Sequence, residues 1–158
     1  MGTSRSALRD QLSCQLIPRL QTLGFSGPSS IRGNGLLHEF KRANQVFTLQ
    51  LEKRGLPRFV VSLEVEPSGG FGSVVREGGT IVQGRLQPRR GASTSAWFRT
   101  DTSFIERLLG RKGTTPEAVV AECVALLPEV EVWWSTQAPS EHIQVLSQHF
   151  PGQPPTSA

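Results

Sequence analysis

The side chains able to do chemistry in this chain are few and widely spaced. Metal-dependent nucleases and phosphatases gather Asp, Glu and His around an ion. Here there are only two aspartates, Asp10 and Asp101, and three histidines, His38, His142 and His149, with no short ligand spacing among them. Nucleophilic catalysis needs a Ser or Cys beside an oriented base. Cys14 and Cys123 both fall in apolar helical patterns, which predicts buried free thiols, and no serine lies in a nucleophile-elbow pattern. His38 is the best-placed base, and its strand position points it at the core as a structural histidine. An enzyme of unrecognised type would need a pocket joining His38 with Arg85 or Glu39. Gly69-Gly70-Phe71-Gly72 has the composition of a phosphate-cradling loop, which aims backbone amides and a helix N-terminus at the anion. It joins two predicted strands and no Lys-Ser or Lys-Thr pair follows, so it reads as a flexible tip. No catalytic residue, metal site or cofactor is expected.

Binding chemistry is better represented. All seventeen Lys and Arg residues lie between Arg5 and Lys112, against eight carboxylates, a net +9. Residues 113–158 hold five glutamates and no base, a net −5, and the whole chain carries +4. Opposed charge poles suit association with a partner. Arg85, Arg89, Arg90 and Arg99 lie on or beside neighbouring predicted strands. With Arg58, Arg76 and an interleaved Trp97 they compose a basic face suited to phosphate contact and base stacking. The plainer alternative is a solvated face ion-paired to Glu52, Glu64 and Glu66. In the acidic segment Trp133 and Trp134 follow Glu129 and Glu131. If one indole packs inward and the other stays outside, the outer one is an anchor for a basic protein. Both rings packing as core and edge cover is the alternative. Phe71, on its glycine-rich loop, is a second predicted anchor.

The elements that must position these residues follow from periodicity. Leu8, Leu12, Leu16 and Leu20 recur every four residues and predict an amphipathic helix over 4–23, kinked near Cys14–Ile17 by Pro18 and ended by Gly24. A loop is predicted from Gly27-Pro28 to Gly33-Asn34-Gly35. Leu36–Arg42 and Gln45–Lys53 alternate around Ala43-Asn44, which sets Phe40 opposite Phe47, His38 opposite Leu49 and Leu36 opposite Leu51. Arg58–Glu66 supplies a third strand, Thr80–Gln87 a fourth and Ala96–Arg99 a short fifth. Asp101 or Thr102 begins a short helix carrying Ile105, Leu108 and Leu109. Thr114 caps a longer, nearly engulfed helix stopped by Pro128, and Ser140 caps a last helix with Ile143, Val145 and Leu146. The predicted fold is α+β, an antiparallel meander of four to five strands with helices packed on one face, comprising one domain over 1–150 and a flexible tail over 151–158.

No apolar run approaches the ~20 residues of a membrane-spanning helix. The first amphipathic segment is studded with Arg5, Arg9, Asp10 and Arg19, unlike a secretory signal. With two unpaired cysteines these features predict a cytoplasmic protein with no membrane partner. Met1-Gly2-Thr3-Ser4-Arg5-Ser6 fits the permissive N-myristoylation pattern and reads as an accident of sequence.

Leu16-Ile17-Pro18-Arg19-Leu20 leading to Leu23-Gly24-Phe25, the Phe40 strand, Val46-Phe47-Thr48-Leu49-Gln50 leading into Phe59-Val60-Val61-Ser62-Leu63, Arg89-Arg90-Gly91 with Trp97, and the Leu127-Pro128 helix end together set a pattern. On these residues the chain resembles the bacterial family named for the domain of unknown function 4304, over about Leu12 to Trp134, with a departure in the glycine-rich segment 67–79. The resemblance implies this α+β fold, a small cytosolic protein, and an immunity or accessory role beside a toxin; it supplies no active site. The expected function is a non-enzymatic protein-binding module using Trp133, Trp134, Glu129, Glu131 and Phe71. The alternative is nucleic-acid binding through Arg85, Arg89, Arg90, Arg99 and Trp97.

Overall fold

The four-residue leucine repeat and Pro18 together decide the N-terminal helix. Proline has no amide hydrogen, and its ring crowds the carbonyl one turn back, at Cys14. In the computed structural model, which describes residues 5–30, 36–88, 96–102 and 104–154, the chain widens there instead of breaking. Helix α1 (Arg5–Gln11) passes through a π-helical segment, Leu12–Leu16, into α2 (Ile17–Thr22). The Ile17 amide reaches back five residues to the Leu12 carbonyl, the bulge that accommodates an interruption within a helix. All four leucines of the repeat remain buried. Cys14 lies on the outside of the bulge and is exposed, contrary to the buried thiol expected. Gly24, at φ +92°, ends the helix, and the Gly24 and Phe25 amides return to the carbonyls of Gln21 and Leu20, closing a Schellman turn.

The residues read as a loop at Gly27-Pro28 form an edge strand, β1 (Ser26–Ser30), with a register shift between Ser26 and Ser29. Strands β2 (Leu37–Arg42) and β3 (Gln45–Leu51) pair in the register that alternation predicts, Phe40 opposite Phe47 and His38 opposite Leu49. Strand β4 (Arg58–Val65) continues it, with Leu63, Val61 and Phe59 opposite Phe47, Leu49 and Leu51. The glycine-rich segment expected to be a flexible tip instead holds helix α3 (Phe71–Glu77). Gly70 precedes it at φ +82° and Gly78 follows at φ +89°, conformations that L side chains resist.

Strand β5 (Gly79–Leu86) pairs with β4 through Val61–Glu64, and the short β6 (Phe98–Arg99) continues along the same side of β4 at Arg58 and Phe59. Helices α4 (Phe104–Leu108), α5 (Pro116–Ala125) and α6 (Leu127–Thr136) follow. Thr115, one residue after the expected cap, accepts a hydrogen bond from the Ala118 amide at 3.2 Å. Pro128 opens α6 as well as closing α5, since an early helical position needs no amide donor.

The segment read as a Ser140-capped last helix is strand β7 (Ile143–Phe150). Its apolar residues suit either period, and the partner decides: β5 would otherwise keep an unpaired edge, and β7 satisfies it over eight registered pairs from Leu86–Ile143 to Gly79–Phe150. Among the described residues the sheet therefore has seven strands, ordered β1-β2-β3-β4-β5-β7 with β6 beside β4, more than the four or five expected. The α+β class stands, and no helix of the described residues is long and apolar enough to cross a membrane. The start of the expected tail is tied down, the Gln153 amide bonding to the Arg76 carbonyl at 2.8 Å. Gly2, the 33–35 turn, Arg89 and Arg90 lie outside the described residues.

The core lies between one sheet face and the helices. Phe40, Phe47, Leu49, Phe59, Val61, Leu63 and Leu86 meet Leu8, Leu12, Leu16 and Leu20, Val120 and Cys123 of α5, and Val130 and Trp133 of α6. Burial pushes the Cys123 thiol well above its ordinary range, which leaves it an inert apolar group. The indole of Trp133 rests on Gly84, in β5: a Cβ built there would come within 2.8 Å of its Cε2 atom. Gly84→Ala is therefore expected to cost about 1–3 kcal/mol in urea unfolding. Adding Trp133→Phe should recover part of that loss, and simple additivity of the two losses would show that the contact does not matter.

Candidate functional site

Glu129, Glu131, Trp133 and Trp134 share α6, and the fold uses all four internally. Trp133 and Trp134 are 1% and 7% exposed, so neither indole is left outside as a protein anchor. Their rings meet edge to face at 5.0 Å, and Trp134 packs on Phe25 at 6.2 Å. Glu131 accepts a hydrogen bond from the Arg42 guanidinium at 2.8 Å. The same guanidinium donates to the Leu23 carbonyl at 2.8 Å and to Gln45 Oε1 at 2.7 Å, and it stacks over Phe25 at 4.5 Å. Arg42 thus binds the first hairpin, the end of α2 and α6 together, using its planar fork of donors.

Glu129 performs the matching task at the other end of the sheet. It accepts from the Ser140 hydroxyl, and from the amide and Nδ1 of His142 at 2.8 Å each. A carboxylate only accepts, so Nδ1 of His142 carries the proton. Burial pushes the Glu129 carboxyl up, but these hydrogen bonds outweigh it and hold the group below the usual carboxylate range. Phe71 is half-buried at the start of α3 and rides on no mobile arm. Trp133, Trp134, Glu129 and Glu131 therefore serve the fold, docking α6 and leading into β7.

The arginines of the open sheet face are partly neutralised. Arg99 donates to Glu106 Oε2 at 2.7 Å. Arg58, opposite Arg99, lies 3.9 Å from Glu52 and stacks over Trp97 at 4.9 Å. Arg85 sits opposite Ser62 and Gln144 on that face, and its buried Nε lacks a hydrogen-bond partner. His38 is half-buried on the helix-covered face, whereas Glu39 and Arg85 face the other way, so the pocket needed for the enzymatic reading does not assemble. Among the described residues no group of three or more His, Cys, Asp or Glu side chains could hold a metal ion.

One surface has the character that the tryptophans lack. Ile105, Leu108 and Leu109, which the sequence places on a short helix, are 67%, 70% and 69% exposed at α4. The turn that presents them is fixed. Gly110, at φ +72°, follows the helix; its amide bonds to the Arg107 carbonyl, and the Arg111 amide to the Glu106 carbonyl. That is a Schellman closure. The Arg99–Glu106 ion pair fastens α4 to β6, and the Thr114 amide returns to the Thr100 carbonyl at 3.2 Å. Arg107, Arg111 and Lys112 of the same segment are exposed as well. The result is an apolar knob on a braced turn, with exposed cations close by in the chain. The sequence placed these residues on a short helix without saying which way they face.

No protein-family model, curated protein or solved structure matches this chain.

The Glu129 network predicts an acid-sensitive fold. Its folded-state pKa lies below the unfolded value of about 4.3, so its contribution is present above that pH and is lost as pH falls through the folded value. Glu129→Gln should cost about 1–3 kcal/mol near neutrality. Measured by denaturant unfolding across pH, the gap between variant and parent should close as the pH falls below about 4.

Proposed function

We propose that this chain is a non-enzymatic, cytoplasmic protein-binding module of immunity or accessory type, and that it docks through α4. The observation that carries the reading is the exposure of Ile105, Leu108 and Leu109 together on a turn braced from both sides. Contiguous exposed apolar side chains mark interaction surfaces, and a pre-ordered turn binds without first losing conformational entropy. The exposed Arg107, Arg111 and Lys112 of the same segment favour a partner whose apolar recess is edged by carboxylates. A protein toxin with an acidic contact surface is such a partner. The likeness to the domain of unknown function 4304 family belongs to this same proposal, and a toxin-like reading frame beside the gene would support it.

The test compares the parent chain with a Leu108→Ser, Leu109→Ser double variant in affinity capture from nuclease-treated host extract. Both positions are exposed, so unfolding stability should change by less than about 1 kcal/mol. A discrete protein held by the parent should bind at least about tenfold more weakly to the variant. Equal retention by both chains would remove α4 as the docking surface. In a separate assay with purified nucleic acid, binding at low salt that falls steeply as salt rises and is indifferent to the leucines would favour the arginine face instead.

A further inference from the structure

The two edges of the sheet are built differently. β1 carries Pro28, which has no donor, and a register shift, both devices that blunt an edge against pairing. β7 carries neither. Its eight residues, Ile143–Phe150, include no Lys, Arg, Asp, Glu or Pro, and among the described residues no strand pairs with its outer side. The Gln87 amide donates to the His142 carbonyl at 2.7 Å. Since antiparallel pairs alternate, the backbone groups of Gln144, Leu146, Gln148 and Phe150 turn toward β5. Those of Val145, Ser147 and His149 turn outward. The Ile143 carbonyl confirms the phase, because it faces away from β5 and accepts the Ser140 amide at 3.0 Å.

We propose that β7 pairs with the β7 of a second copy of this chain, antiparallel across a two-fold axis at Leu146, so that the sheet runs on from one molecule into the next. In that register Val145 and Ser147 exchange hydrogen bonds with their opposites, and the Ile143 amide donates to the His149 carbonyl, its own carbonyl being held by Ser140. Leu146, 45% exposed, meets its own copy in the closely spaced, non-hydrogen-bonded position on the open face. Gln144 lies opposite Gln148 on either side of it. Glu141, exposed before the strand, falls beside the far end of the other β7, where Gln153 bonds to the backbone of Arg76, whose side chain is exposed. A strand without charge on either face brings no like charges together, so the isologous contact closes on itself as a dimer.

The test is sedimentation of the full chain over a range of concentrations, with two variants at the axis. Leu146→Lys and Leu146→Glu each set like charges opposite one another in the pair. The parent should sediment as a dimer and each variant alone as a monomer, with a dissociation constant at least about tenfold higher. An equimolar mixture of the two variants should restore the dimer, which a misfolded variant cannot do. In the dimer the amides of Ile143, Val145 and Ser147 should gain hydrogen-exchange protection. A parent that stays monomeric, or a dimer insensitive to either charge, would overturn the pairing. Neither outcome touches the docking surface at α4, which is a separate part of the molecule.

Discussion

The close seat of Trp133 on Gly84 constrains much of what surrounds it. An indole that approaches a strand so nearly that no Cβ fits beneath it places α6 at one point on the sheet. From that point the neighbouring residues of the helix have little freedom. Trp134 turns to Phe25 and closes the aromatic cluster that also takes in Phe40 and Phe47. Glu131 arrives at Arg42, and Glu129 arrives at Ser140 and His142. A helix pinned at its centre by packing and at two flanking carboxylates by hydrogen bonds has its rotation about its own axis defined as well as its position.

This arrangement changes the meaning of the charge segregation. Glu131 and Glu129 in the C-terminal third are taken up within the molecule, one by an arginine of the basic portion and one by the turn that feeds β7. On the open sheet face, Arg58 and Arg99 lie beside Glu52 and Glu106. Such partly exposed pairs contribute little stability individually, but they reduce the field that a distant anion would feel. What remains outward and unusual is the braced apolar knob of α4 and the uncharged outer strand. Both are places where the fold stops short of covering itself, and both are held in shape by hydrogen bonds beneath them.

Much of the architecture was legible in residue patterns. The hairpin of Phe40 and Phe47 and the strand of Phe59, Val61 and Leu63 follow from a side-chain period of two, because a one-residue slip would turn every phenylalanine to water. The leucine repeat and Gly24 define the first helix and its end for equally local reasons. Glycine was a less faithful guide. Gly70 and Gly78 looked like the marks of a flexible tip, yet they serve as the two ends of α3, since the same positive φ values suit a loop and a helix boundary. The candidate site was the least legible part. Trp133 and Trp134 have the composition of an interface yet are buried, whereas Ile105, Leu108 and Leu109, placed only on a short helix by the sequence, are the exposed apolar group.

What the sequence determined by itself is therefore the set of relations that act over a few residues: the turn at Ala43-Asn44, the registers beside it, the helix ends and the apolar stripes. Tertiary structure alone decided which stripes found a cover and which period an ambiguous segment adopted. Ile143, Val145 and Leu146 became a strand because the backbone of β5 had an edge to satisfy. Arg42 gathered Leu23, Gln45 and Glu131 from three separate stretches of chain. The reason is one of range. Dihedral preference and side-chain alternation are properties of neighbouring residues, whereas burial and hydrogen-bond satisfaction belong to whichever surfaces the folded chain brings together.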